Sequence, residues 1–78
     1  MALHWNIEEC AAYFDRLFLR GWCHDSAHRI VRVMAVFPEP MTVVPVLSFG
    51  QPSPDVASAL DARAANCRFE EWLDVPAE

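Results

Sequence analysis

From Leu17 to Cys23 the chain reads as an extended segment, with Leu17 and Leu19 on one side and Arg16 and Arg20 on the other. Phe18 and Trp22 share the arginine side, so both faces are partly apolar, as in a strand with cover on each face. His24 to His28 is polar and rich in short residues, the composition of a turn. A second strand is predicted over residues 30–37, where Val31, Val33, Ala35 and Phe37 line one face at period two and Arg32 opposes them. Pro38-Glu39-Pro40 stops it, because proline fixes φ and lacks the donor a ladder needs. Thr42 to Phe49 is another β-rich run, and Pro45 within it confines that strand to a sheet edge or a bulge.

The segment Ser53 to Leu60 predicts one short helix over about residues 54–61, with Ser53 as N-cap, Pro54 at the first helical position and Asp55 in the first turn. Val56 and Leu60, four apart, would dock its face on the sheet. Cys67 to Leu73 reads as a closing strand with Cys67 and Phe69 inward, and residues 74–78 as a tail or linker. Trp5 to Phe14 reads two ways: as an amphipathic helix, since Ile7, Cys10, Ala11 and Phe14 fit 3.6 spacing, or as an opening strand. A strand or irregular segment is favoured.

Composition narrows the class. A chain of 78 residues is too short for two cores, and its 54% hydrophobic content suffices for one. Residues 1–78 are therefore read as a single domain of mainly β class. The formal charge of −5 arises from eleven acids against six arginines without any lysine, which makes nucleic acid and anionic membrane surfaces poor partners. No apolar stretch approaches the roughly 18 residues of a membrane span, and the opening residues lack the basic-then-apolar order of a secretory signal. A cytoplasmic location is expected. Cys10, Cys23 and Cys67 are odd in number and widely spaced, so they are read as buried free thiols rather than a disulfide framework.

The pattern resembles a small β-sandwich module fused to bacterial glycosyltransferases and methyltransferases of surface-polysaccharide biosynthesis. The residues that carry the likeness are Gly21-Trp22, Ile30 and Val33, the run Phe49-Gly50-Gln51-Pro52-Ser53-Pro54-Asp55-Val56-Ala57, and Ala65-Asn66 with Phe69. Family members usually have arginine at the position of Ser53 and Ser-Gly at Cys67-Arg68. The resemblance implies an immunoglobulin-like or jelly-roll-like antiparallel sandwich, non-catalytic, forming the N-terminal part of a longer chain. Its implied partners are an oligosaccharide or a catalytic domain of the same polypeptide. Gly50, between a strand and a turn, also fits a backbone position that favours glycine on physical grounds.

Other constellations are weak. Glu8-Glu9 and Glu70-Glu71 are adjacent pairs, and neighbours on a strand point to opposite faces, so neither doublet makes the facing carboxylates of glycoside chemistry. A cross pair of Glu9 with Glu71 stays open. Cys23, His24 and His28, with Asp25 nearby, lack the second ligand cluster of a structural zinc site, and no metal or cofactor is expected. The helix opening at Ser53 could attract an anion, but Asp55 already supplies negative charge there. No phosphate loop or nucleophile elbow exists. Trp5, Tyr13 and Trp72 are the candidate ligand-binding residues, because aromatic rings exposed on a β-sandwich stack on sugars; Trp22 is assigned to the core. The expected function is a non-catalytic accessory domain acting through weak carbohydrate contact or by docking on a catalytic domain. The alternative is a protein–protein interaction module, with self-association open to it, and a stand-alone hydrolase comes third.

Overall fold

At the N-terminus extended geometry wins over helix, because Leu3–Tyr13 (β1) finds a hydrogen-bonding partner in Arg16–Asp25 (β2). The computed structural model describes residues 2–38 and 41–76. Within them the chain is mainly β, with two antiparallel sheets and one short helix, consistent with a small β-sandwich-like fold. A two-residue turn, Phe14-Asp15, joins β1 to β2. Phe14 adopts a left-handed φ of 57° there, which a residue with a Cβ resists, and its ring is fully exposed. The last strand, Arg68–Asp74 (β5), pairs with the other side of β2 and gives the order β1-β2-β5. It extends one residue into the stretch expected to be tail, and Val75 N–H then donates to the Asp15 carbonyl at 2.7 Å.

Register defines two faces of this sheet. On the inward face Ile7, Gly21 and Phe69 form a row; on the outward face Glu9, Arg20 and Glu70 do. A β-bulge between Ile7 and Glu9 inserts an extra residue, so the alternation of β1 changes sides there. β1 also runs so close to β2 that a Cβ on Gly21 would overlap the Asn6 carbonyl oxygen. That approach, rather than a special φ, explains the glycine.

Met34–Pro38 (β3) and Met41–Pro45 (β4) make the second sheet. The strand expected from Ile30 begins only at Met34: Pro45 stands opposite Met34 and has no N–H to extend the ladder. One further bond, Val46 N–H to the Val33 carbonyl at 2.9 Å, is all that follows. Residues 29–33 are irregular, and Val31, expected on the inner face, is exposed. β4 likewise stops at Pro45, and 47–50 turn instead of continuing as strand. Glu39 and Pro40 of the predicted break lie outside the described residues, as do Ala77 and Glu78 of the tail.

The core cluster is Val46, Phe69 and Leu73, with Leu19, Ala35 and Val44 packed against it. A second cluster of Val56, Ala64 and Cys67 lies beneath Trp22, and Phe49 touches both clusters. Gly50 takes φ of +107° with open space around it, so backbone conformation alone selects glycine there.

The helix, Pro54–Ala59 (α1), opens at the predicted proline and buries Val56. Two expectations about it need correction. Ser53 occupies the N-cap position but makes no side-chain cap; its Oγ donates to the Ala64 carbonyl at 2.6 Å and accepts from Cys67 N–H at 2.9 Å. The hydroxyl is drawn away because those two backbone groups are buried and have nothing else so close. Leu60 is exposed rather than docked, because the helix ends before its second turn is complete. A single 3₁₀ turn, Ala62–Ala64, follows. Among the described residues no helix is long and apolar enough to cross a membrane.

Candidate binding surfaces

The structure brings together two of the three predicted aromatic residues. Tyr13 and Trp72 lie on the outward face of the first sheet, ring centroids 5.6 Å apart and tilted by 57°, and Phe18 approaches Trp72 at 5.1 Å. Arg16 adds its guanidinium 5.2 Å from the Trp72 centroid, a cation–π contact that covers part of one ring face. Trp72 is 44% exposed and Tyr13 56%. Trp5, 64% exposed, is on the inward face near the other end of β1, because the bulge inverts the alternation between it and Tyr13. No common platform therefore holds all three rings.

The bulge also overturns the expected separation of Glu8 and Glu9. Both carboxylates reach Arg20, at 3.9 and 3.4 Å, and Glu8 also engages Arg68. Arg68 in turn binds Asp55 at 2.6 Å, so an unbroken chain of ion pairs runs from β1 across β2 and β5 to α1. The Arg68 hydrogen bond holds the Asp55 carboxyl below the usual carboxylate range. Glu9 shares its row with Glu70; Glu71 is on the inward face, where it accepts from Leu47 N–H and Ser48 N–H at 3.3 and 2.7 Å. Glu8 and Glu9 are ligands of arginines, and Glu71 is a ligand of loop backbone.

Cys23 and His24 point to opposite faces. Cys23 stands inward beside Cys67, and burial together with that neighbouring thiol pushes its pKa up to about 11. His24 is nearly buried and meets Asp61 at 3.2 Å. Asp25 accepts from Ala27 N–H and His28 N–H, at 2.8 and 3.0 Å, which lowers its pKa and builds the turn predicted there. Among the described residues no group of three or more His, Cys, Asp or Glu could hold a metal ion. Cys67 is buried as expected, Cys23 is half-buried, and Cys10 is exposed on the edge strand, contrary to the buried-thiol reading.

Two surfaces escaped sequence reasoning. The outer face of β3–β4 consists of Met34, Val36, Pro38, Met41, Val43 and Pro45, all exposed. Strict alternation over both strands marks this face, but it is legible only once the strand pairing is known. The other is a groove of about 330 Å³ between the inward face of β1 and residues 30–33, lined by Leu3, Trp5 and Ile7 on one side. Together these surfaces account for many of the fourteen large apolar side chains exposed among the described residues, where only six apolar residues, Ala64 and Cys67 included, are buried.

Of the motif residues, Gly21, Trp22, Gly50, Ser53, Pro54 and Val56 serve close approach, packing, turn geometry and helix entry, and Asp55 anchors Arg68. Comparison of the chain with protein-family models, curated proteins and solved structures finds no match to any of them.

Proposed function

We propose that the chain is a non-catalytic accessory domain that docks permanently on a protein surface, through the outer face of β3–β4. The observation that carries this reading is the uniform apolarity of that face: an antiparallel sheet with one side on the core ordinarily turns polar residues to water, and here all six outward positions are apolar and exposed. From Pro40 to Pro54 the sequence holds no charged residue. An interface without charges at its centre is typical of obligate assemblies rather than transient ones. A catalytic domain of a glycan-modifying enzyme, joined in the same cytoplasmic polypeptide, is the occupant that the sequence resemblance suggests. The domain contributes no catalytic group, metal or cofactor in this reading.

Weak carbohydrate contact is the second reading, favoured by the adjacency of exposed Tyr13 and Trp72. Sedimentation of the isolated domain, paired with titration of bacterial surface oligosaccharides against its tryptophan indole signals, separates the two. Docking predicts self-association at high concentration, with resonances of β3–β4 broadening, and its abolition by Val36→Glu. A domain that stays monomeric while the Trp72 indole moves with millimolar sugar would transfer the function to the aromatic cluster.

A further inference from the structure

Four of the six arginines, Arg16, Arg20, Arg63 and Arg68, each lie within 4 Å of a carboxylate. Arg29 and Arg32 have no carboxylate partner among the described residues, although the chain carries eleven acids. Both are exposed on the irregular segment 29–33. Ile30, Arg32 and Val33 of that segment form one wall of the apolar groove, and Arg29 immediately precedes that wall in the chain. Across from it, Leu3, Trp5 and Ile7 present side chains at every second residue of β1, about 7 Å apart. That spacing is the repeat of alternate side chains in an extended peptide. The acids nearest the groove's ends are already engaged: Asp25 accepts two backbone N–H groups, and Glu8 and Glu9 are held by Arg20 and Arg68.

We infer that this groove seats an extended peptide segment in which apolar residues alternate with carboxylates. Its apolar side chains enter between Trp5 and the wall of Ile30 and Val33, and its carboxylates remain at the mouth, where the guanidinium of Arg32 meets them and that of Arg29, just before the wall, extends the positive charge. Bidentate guanidinium–carboxylate pairing supplies direction and specificity, and the apolar row supplies burial. The inference rests on the docking reading and adds a second contact of defined chemistry to it.

The test uses three synthetic heptapeptides, Glu-Leu-Glu-Val-Glu-Phe-Glu and its counterparts with glutamine or lysine in place of every glutamate, titrated into the isotope-labelled domain. The glutamate peptide is expected to shift the Trp5 indole signal and to bind about tenfold more tightly than the glutamine peptide, with the lysine peptide weakest. The combined Arg29→Gln and Arg32→Gln variant should erase the difference between the glutamate and glutamine peptides. Both side chains are exposed, so an unchanged circular dichroism spectrum accompanies that loss. Equal affinity for the glutamate and glutamine peptides would overturn the charge recognition while leaving docking through β3–β4 untouched. Silence of the Trp5 signal toward all three peptides, or its movement with protein concentration alone, would overturn the site.

Discussion

Trp5 and Tyr13 stand on opposite faces of one strand although their positions differ by an even number. The bulge between Ile7 and Glu9 is the cause, and it divides the aromatic residues into one ring beside the groove and a pair beside Phe18. A double-mutant cycle should register that division. Tyr13→Ala and Trp72→Ala are expected to couple by about 0.5–1.5 kcal/mol, the range of aromatic pairs in contact. Trp5→Ala and Trp72→Ala should be additive within about 0.5 kcal/mol. Urea denaturation of the single and double variants measures both couplings, and a sizeable Trp5–Trp72 term would place the bulge elsewhere.

The two glycines should fail differently. Alanine at position 21 drives a methyl group into the backbone of β1, and about 3 kcal/mol of destabilisation is expected because a backbone cannot step aside as a flexible side chain can. Alanine at position 50 meets empty space and suffers only the strained φ, about 1–2 kcal/mol. Thermal melts rank them; a larger loss at Gly50 would contradict the strand approach described for Gly21.

Ser53→Ala distinguishes a helix cap from a buried knot. Loss of a cap costs about 1 kcal/mol. Here the hydroxyl is fully buried between the Ala64 carbonyl and Cys67 N–H, and stranding both groups should cost about 2–4 kcal/mol. Amide exchange of Cys67 should accelerate in the variant, whereas α1 amides would accelerate first if Ser53 acted as a cap.

Thiol labelling should proceed in order of exposure. At pH 8 iodoacetamide is expected to modify Cys10 alone, because Cys67 is buried and a pKa of about 11 leaves Cys23 with on the order of a thousandth of its molecules as thiolate. Mass spectrometry before and after unfolding in urea counts the sites. Early labelling of Cys23 would show the junction of β2 and β5 to be open.

Acid should destabilise the fold through carboxylates that the native state holds ionised. Asp25, Asp55 and Asp61 are depressed by Ala27 N–H, by Arg68 and by Arg63 N–H respectively. A depressed native pKa means that the unfolded chain takes up protons first, so their stabilisation is intact above about pH 4 and is lost as the pH falls through the lowered values. Urea midpoints recorded from pH 7 down to pH 2.5 should show this decline, and Asp25→Asn should make it shallower. An unchanged acid limb in that variant would remove Asp25 from the account.

Much of this architecture was legible before any pairing was known. β2 and β5 announced themselves by alternation, Pro54 marked the first residue of α1, and Gly50 sits at the left-handed position its neighbours implied. What escaped has a shared physical character. The bulge depends on how β1 meets Gly21, the late start of β3 on Pro45 standing opposite Met34, and the diversion of Ser53 on two buried groups eleven and fourteen residues away. Each is a choice between local preference and a distant partner, and periodicity records only the local side. The candidate surfaces follow the same rule, since the apolar outer face of β3–β4, and the lack of a carboxylate partner for Arg29 and Arg32 among the described residues, exist only relative to other parts of the fold.

The ion pairs that Arg68 makes with Glu8 and Asp55 have a mechanical meaning. A single guanidinium acts as the shared rivet between the kink of the edge strand and the entrance of the helix, so neither can drift without loosening the other. Dissolved salt, which weakens every exposed link of that kind, becomes a tuning screw for the stiffness of the whole outward face.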